Sequence, residues 1–276
     1  MDRPNPSAAP VCKVRLRYAK RGKLRFTSHR DVARAFERAL RRAGLPVAYS
    51  QGYSPHPKVS WVGAAPTGAA SEAEYVEIQL VEHVDPEVVR AELDAALPDG
   101  LTVLEGVLAG PGGLAERIEA SAWRIEVRGV TVEQLRQATH TLLAAPKLHV
   151  ERVTKDGRRS LDARAAIVSL DVVDDPTVMP APDQLGRCGI LMAVVRQASP
   201  AVRPDDVLSA LGAVAGFPSS VRVKAIRMAQ GRLGDDGGLV DPLVADRAFA
   251  RTALAPDGWA RSDDRPDQHD VVGHTG

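Results

Sequence analysis

The fold is decided by residues 13–44, KVRLRYAKRGKLRFTSHRDVARAFERALRRAG, where an alternating segment leads directly into an amphipathic one. Charged and apolar residues alternate over Lys13–Tyr18, and this period of two predicts a strand with one buried face. Ser28 and Asp31 form a capping-box pattern ahead of an apolar stripe that Gly44 terminates. A strand followed by a capped helix is therefore the first unit of the fold.

The rest of the first half continues this pattern outward. We predict strands at Lys58–Val62 and Glu74–Val81, a helix opening at Asp85-Pro86, and a strand at Leu101–Leu108 before a glycine-rich break at 110–113. The second half repeats this order with one insertion. Its predicted elements are strand Trp123–Val127, a helix from Thr131, strands Leu148–Thr154, Ile167–Val173 and Ile190–Val195, a helix from Pro204, and strand Val221–Met228.

The repeated order predicts an α+β fold made of two tandem ferredoxin-like (βαββαβ) domains. In such a domain two helices cover one face of an antiparallel sheet, and the opposite face stays open. We expect the domains at residues 11–110 and 111–230, with a disordered N-terminus at 1–10 and a disordered acidic tail at 231–276.

Composition limits the class of protein. The 276 residues are 44% hydrophobic, which is enough for globular cores without a metal or a disulfide. Cys12 and Cys188 fit no CxxC or Cys/His ligand spacing, so no metal site is expected. No apolar run approaches the roughly 20 residues that span a bilayer, and the start lacks the features of a signal peptide. We expect a soluble, cytoplasmic protein with no membrane contact.

Charge is unevenly distributed, although the formal net charge is only +1. The basic segment, residues 13–61, contains thirteen basic residues and two acidic ones, whereas nine aspartates outnumber five arginines beyond Gly231. Phosphate backbones bind such clusters because neutralising the phosphates releases condensed counterions. The basic segment therefore predicts an anionic partner, and RNA is the partner we expect.

Two basic surfaces are predicted within this segment. If the apolar residues of the first strand face the helices, Lys13, Arg15 and Arg17 lie on the open sheet face. The solvent side of the first helix carries arginines three or four residues apart, namely Arg34, Arg38, Arg41 and Arg42. In the alternative, the strand residues pair with Glu74 and Glu77, and the helix arginines are a solvated face.

The run RFTSHRD, residues 25–31, predicts an anion site at the start of the helix. Ser28 would cap a helix whose first turn exposes unpaired N–H groups. Arg25, His29 and Arg30 lie beside those groups in the sequence and would add charge. The alternative is a plain N-cap in which Asp31 satisfies the helix dipole.

The run QGYSPHPKVSW, residues 51–61, predicts a loop that glycine and proline hold in an extended shape. It presents Tyr53, His56 and Lys58, which together suit single-stranded RNA because bases stack and phosphates pair. The alternative is a rigid connection in which Tyr53 packs on the core. We expect these side chains to converge into one pocket with those at the helix start, namely Arg25, Ser28 and His29.

A second basic group surrounds GRRSLDAR, residues 157–164. It consists of Lys155, Arg158, Arg159 and Arg164, with Asp162 among them. The aspartate could orient the arginines toward a substrate, but a surface ion-pair network would have the same sequence. The chain has no Walker loop, no GxGxxG after a strand, and no HExxH or GxSxG motif, so these catalytic classes are not indicated.

The stretch RLRYAKRGKLRFTSHRDVARAFERALRRAGLPVAYSQGYSPHPKVSW, residues 15–61, resembles the bacterial radical SAM-linked (radical-SAM-associated) family, a domain of unknown function. The resemblance covers about residues 11–230, and members are fused to, or encoded beside, a cobalamin-binding radical SAM protein. It implies a partner that holds S-adenosylmethionine, an iron–sulfur cluster and cobalamin, while this chain binds no cofactor. The chain itself has no CxxxCxxC triad.

Three hypotheses follow from the sequence. In the first, the chain binds transfer or ribosomal RNA and presents it to a separate radical SAM enzyme. In the second, it is a metal-independent endoribonuclease of the CRISPR repeat-processing type, with His29 and His56 as candidate catalytic residues. In the third, it is a protein-docking module whose arginines meet an acidic partner surface.

Overall fold

The computed structural model describes residues 8–154, 157–173, 188–217 and 221–253. In the first half, the predicted elements form close to their expected bounds: β1 (Cys12–Lys20), α1 (His29–Arg42), β2 (Val59–Val62), β3 (Ala70–Leu80), α2 (Pro86–Ala96) and β4 (Leu101–Leu108). A 3-10 turn at Gly22–Phe26 separates β1 from α1. A second 3-10 turn, Ala115–Arg117, follows the glycine-rich break.

The second half contains the strands and helices predicted for it, together with a larger insertion than the sequence indicated. Its elements are β5 (Ala120–Arg128), α3 (Val132–Ala144), β6 (His149–Thr154), β7 (Gly157–Asp162), α4 (Ala163–Ala166), β8 (Ile167–Val173), β9 (Cys188–Arg196), α5 (Pro204–Ala215) and β10 (Arg222–Leu233). The inserted strands β6 and β7 form a separate two-stranded hairpin.

One mixed sheet of nine strands runs through both halves in the order β4-β1-β3-β10-β5-β9-β8, with β2 added to β3 and a short β11 (Leu239–Val240) added to β10. The β3–β10 contact is parallel, and there Ile226 and Arg227 lie opposite Ala70 and Ser71. The α+β prediction is confirmed. Each half forms its own antiparallel set, β4-β1-β3-β2 and β10-β5-β9-β8.

Helices pack on one face of each half. In the first half, Leu16 of β1 is buried in one cluster with Phe36 of α1 and Leu93 of α2. In the second half, Leu135 of α3 and Leu211 of α5 belong to a separate cluster. A fully buried side chain of this size contributes about 1.5–3 kcal/mol, so these contacts fix the orientation of the helices on the sheet.

The C-terminal prediction is wrong for residues 231–253, which are folded. After β11, α6 (Val244–Ala253) packs on the sheet face of the first half that was expected to be open. Leu243 there is fully buried in a cluster with Tyr75, Val107 and Leu114. The acidic composition suggested disorder, but the buried Arg15 of β1 supplies a partner for Asp246. Residues 1–7 and 254–276, which include the rest of the predicted tails, lie outside the described residues.

No helix in the described ranges has the length and apolar character needed to cross a membrane.

Candidate functional site

The outer face of α1 carries a row of exposed arginines. Arg30, Arg34, Arg38 and Arg41, here called the arginine ridge, are spaced by four, four and three residues, so they project from one side of the helix. The opposite side is apolar and includes the buried Val32, Ala35, Phe36, Ala39 and Leu40. The burial of these residues leaves the ridge in solvent, which confirms the predicted exposure of Arg34 and Arg38. The next arginine, Arg42, donates from Nη1 to the Ala96 carbonyl at 2.9 Å.

Ser28 is an ordinary N-cap of α1. Its Oγ accepts a hydrogen bond from the Asp31 backbone N–H at 3.3 Å and donates to Asp31 Oδ2 at 2.6 Å. A capping serine satisfies one of the unpaired N–H groups of the first turn. The structural interpretation of Ser28 and Asp31 therefore accounts for both residues without a ligand.

His29 stands over an aromatic cluster at the start of α1. Its ring meets Trp61 edge-on, with centroids 5.3 Å apart and an interplanar angle of 85°. Trp61 in turn contacts the rings of Tyr18 and Phe36 at 6.0 and 5.0 Å. The contact with Trp61 holds the imidazole of His29 in place. Because His29 remains exposed, it is still accessible to a partner.

Phe26, which was not among the predicted site residues, is one of the exposed aromatic residues of the basic segment. Its side chain is 60% exposed, and the Arg25 guanidinium lies 4.5 Å from the ring centroid. The Arg25 carbonyl accepts from the Gly68 backbone N–H at 2.7 Å, which fixes the 3-10 turn beneath them. The sequence did contain a signal for an exposed ring here: Phe26 is apolar but belongs neither to the alternating pattern of β1 nor to the apolar stripe of α1.

The loop over residues 52–58 presents its side chains outward. A bridge pairs Tyr49 with Pro57, and the Ser50 backbone N–H donates to the His56 carbonyl at 2.8 Å. Tyr53 is fully exposed, so the alternative that it packs on the core is wrong. His56 is exposed, and Lys58 is half-buried just before β2.

The two motifs that were predicted to converge into one pocket are in contact through the rings of His29 and Trp61. Among the described residues, no hydrogen bond or ring contact joins His29 to Tyr53, His56 or Lys58. Convergence of Tyr53, His56 and Lys58 with the side chains at the helix start therefore stays a prediction.

Arg15 is buried, which corrects its assignment to an open RNA-binding face. Its side chain is 1% exposed, and Nη1 donates to Asp246 Oδ1 at 2.6 Å. Nε donates to Glu77 Oε2 at 2.9 Å and Nη2 to the Gly112 carbonyl at 2.5 Å. The folded α6 brings the Asp246 carboxylate onto the sheet. With Asp246, Glu77 and Gly112 as acceptors, no donor of Arg15 faces outward.

Glutamates pair with Lys13 and Arg17, the other two basic residues that were predicted on this face of β1. Lys13 Nζ lies 2.8 Å from Glu77 Oε1, and Arg17 Nε lies 3.6 Å from Glu105 Oε2. Burial alone would raise the pKa of Glu77, but Lys13 and Arg15 outweigh it and hold that pKa below its ordinary value of 4.5. The structural alternative is confirmed for Glu77, whereas Glu74 pairs with Arg227 instead.

The basic group of the second half is largely structural. Arg164 donates to the carbonyls of Leu143 and Ile167, at 3.2 Å each, and so completes the end of α3. Asp162 caps α4 by accepting from the Ala165 backbone N–H at 3.3 Å, so it does not orient arginines toward a substrate. Arg158 is exposed and lies 3.3 Å from Glu151. The remaining predicted residue, Lys155, lies outside the described residues.

Metal ligands are not grouped in the described ranges: no three His, Cys, Asp or Glu side chains there are arranged to hold a metal ion. Cys12 and Cys188 are both free thiols.

An α+β protein with an exposed arginine ridge is the class that the fold and the surface define. The chain belongs to the family described as an uncharacterized protein conserved in bacteria (DUF2344), which matches residues 13–204. No curated protein matches the chain.

Solved structures with weak similarity include two peroxidases. DyPB from Rhodococcus jostii RHA1 is 11% identical, with 83% of this chain and 97% of that chain covered and a TM-score of 0.21. The encapsulated DyP-type peroxidase from Mycobacterium smegmatis is 10% identical, with 83% and 94% covered and a TM-score of 0.20. Similarity at this level carries no functional argument.

Proposed function

We propose that this chain is an RNA-binding accessory protein that presents transfer or ribosomal RNA to a separate radical SAM enzyme. The observation that carries the proposal is the arginine ridge, together with the exposed rings of Phe26 and Tyr53 on the segments before and after α1. Arginines attract and grip phosphates, and exposed rings stack with bases, so this combination suits single-stranded or looped RNA.

The ridge is available to an external anion because little within the chain neutralises it. Arg34 is 61% exposed, and its ion-pair partner Asp31, at 3.6 Å, is 55% exposed. Exposed pairs of this kind contribute about 0–1 kcal/mol, so a phosphate can displace the aspartate at small cost. Arg30 and Arg41 are eleven positions apart in the sequence, so the ridge extends roughly 16 Å along the helix axis.

The radical SAM partner rests on the resemblance of residues 15–61 to the radical SAM-linked family. S-adenosylmethionine, the iron–sulfur cluster and cobalamin would all be held by that partner. The two-repeat, ferredoxin-like architecture belongs to the same proposal. The strand orders β4-β1-β3-β2 and β10-β5-β9-β8 support it, because each places the first and third strands of a βαββαβ unit at the centre.

The test is equilibrium binding of purified transfer RNA and ribosomal RNA fragments to the full chain at low salt. We expect binding by the wild-type protein and a loss of about tenfold or more in the double variant Arg34→Ala/Arg38→Ala. Arg136→Ala is the matched control, because Arg136 is also an exposed helix arginine with an (i,i+3) acidic partner. Absence of binding to either RNA at low salt would refute the proposal.

Cleavage and protein capture distinguish the other two hypotheses. RNA cleavage by the purified protein that is lost in His29→Ala and His56→Ala would favour the endoribonuclease. If the ridge variant instead loses an acidic protein partner while RNA binding is absent throughout, the chain is a docking module.

A further inference from the structure

A cavity between the two halves of the sheet is separate from the arginine ridge. Its volume is about 190 Å³, and it lies between the segment after β2, strand β5, the β9–α5 connection and β10. Three arginines from three different segments line it, namely Arg196, Arg203 and Arg227. The lining residues, all from the described part of the chain, include no acidic residue.

Arg227 is built into the floor of this cavity. Its side chain is 4% exposed, and its guanidinium lies 5.4 Å from the Trp123 ring centroid. Nη2 donates to Glu74 Oε1, and Nε lies 3.4 Å from Ser71 Oγ. Nη1 donates to no described residue, so one edge of a fixed, buried guanidinium is free to meet a ligand.

The segment 63–66 beside Arg227 is also fixed, because it binds the same Glu74 carboxylate. Ala65 donates from its backbone N–H to Glu74 Oε2 at 2.9 Å, and its carbonyl lies 3.5 Å from the buried Lys20 Nζ. Gly63 has a φ of +60°, and a Cβ there would lie 2.6 Å from Gln230 Oε1, so this position requires glycine. A cavity with two anchored walls is a preformed site.

Two positive charges at the rim have no ion-pair partner among the residues that the structure describes. Arg196 and Arg203 are exposed and form no ion pair with a described residue. The nearby Asp206 is already used, because it accepts from Arg152 Nε at 3.0 Å and from the Arg203 backbone N–H at 2.7 Å. Asp206 already occupies the N-terminus of α5, so the arginine side chains determine which ligand the cavity binds.

We propose that this cavity binds a phosphate group, either as free phosphate or as the end of a small phosphate ester. A phosphate carries about −1.5 to −2 charge at pH 7, which matches the two positive charges of Arg196 and Arg203. Its tetrahedral oxygens can accept from guanidinium groups that approach from three directions, whereas a planar carboxylate suits a single guanidinium fork. The volume is below the roughly 300 Å³ of pockets for larger ligands, which favours a small group over a whole cofactor.

The test is calorimetric titration of the full chain with inorganic phosphate and, separately, with adenosine 5′-monophosphate. Arg196→Ala and Arg203→Ala each remove a rim charge without emptying the core, and each is expected to weaken binding about tenfold. Arg34→Ala on the ridge and Arg136→Ala on α3 should bind like the wild type. Tighter binding of the ester would identify an ester ligand, and equal binding would identify phosphate itself.

Two results would overturn the proposal. One is no binding of either probe by the wild type at about 10 mM, well above the range of specific sites. The other is equal binding by Arg203→Ala and Arg136→Ala. Arg227→Ala is not a suitable variant, because it would leave the buried Glu74 without its partner. Because the ridge is not involved, failure here leaves the proposed RNA function unaffected.

Discussion

Arg15 Nη1 donates to Asp246 Oδ1 at 2.6 Å, and the two residues are 231 positions apart in the sequence. Both side chains are buried, with 1% and 0% of their surface exposed. Asp246 also accepts from Arg117 Nη1 at 2.7 Å and from the Gly110 backbone N–H at 2.8 Å. One carboxylate therefore joins β1, the connection between the halves, and α6.

Replacing this carboxylate should destabilise the whole fold. Asp246→Asn removes the buried charge that Arg15 and Arg117 share and leaves Arg15 with Glu77 alone, so we expect a loss of about 3–5 kcal/mol in the free energy of unfolding. Urea denaturation followed by circular dichroism measures this value. Asp235→Asn, an exposed aspartate of the same acidic segment, is the control. A loss for Asp246→Asn as small as that of the control would show that the contact is dispensable.

Acid should weaken the same sheet face through Glu77. Lys13 and Arg15 hold the pKa of Glu77 below 4.5 in the folded protein, despite a burial effect that opposes them. A carboxylate with a lowered folded pKa stabilises the fold above its unfolded pKa, and this contribution disappears as pH falls through the folded value. We therefore expect a decline in stability below about pH 4.5 that is smaller in Lys13→Ala than in the wild type.

Thermal unfolding measured from about pH 3 to about pH 7 follows this decline, because carboxylates titrate within that range. Lys147→Ala is the control, because Lys147 is an exposed lysine outside this ion-pair group. If Lys13→Ala and Lys147→Ala lose stability in parallel with the wild type as pH falls, Glu77 does not contribute as described.

Removing the N-cap of α1 should affect stability but not RNA affinity. Ser28→Ala eliminates the hydrogen bond from Asp31, and we expect a loss of about 1 kcal/mol in the free energy of unfolding. Because Ser28 is fully accounted for by capping, RNA affinity measured under folded conditions should stay within about twofold of wild type. A large fall in affinity without a fall in stability would instead place Ser28 in an anion site.

The exposed rings should contribute to RNA affinity without contributing to its salt dependence. Phe26→Ala and Tyr53→Ala each remove a surface on which a base can stack, which is worth about 1–3 kcal/mol per base. Neither change removes a charge, so a plot of log affinity against log salt should keep its slope. Fluorescence anisotropy with a single-stranded RNA at several salt concentrations tests both points, and Phe249→Ala, a half-exposed ring on α6, is the control.

The local elements were predictable because short-range patterns specify them. The capping serine of α1, Asp85-Pro86 at the start of α2 and the apolar alternation of β4 each act within a few residues. The exposure of Arg34 and Arg38 follows from the same helical period. These predictions needed no knowledge of long-range contacts.

What the sequence did not reveal depends on residues far apart in the chain. The period of two correctly placed Arg15 on the opposite sheet face from Leu16, but it could not indicate that α6 would cover that face. The acidic segment beyond Gly231 was predicted to be disordered, because Arg15, which pairs with its Asp246, lies 231 positions earlier in the sequence. The cavity lined by Arg196, Arg203 and Arg227 likewise forms only when β3 and β10 pair.

The most direct test of RNA binding by the arginine ridge is the salt dependence of RNA affinity in wild type, Arg34→Ala/Arg38→Ala and Arg136→Ala. Each lost phosphate contact to a single strand reduces the steepness of the log–log slope by about 0.7, so the double variant should be shallower than wild type by about 1.4. Arg136→Ala should keep the wild-type slope. Equal slopes in the double variant and in Arg136→Ala would contradict RNA binding by the arginine ridge, because the ridge would then make no phosphate contacts.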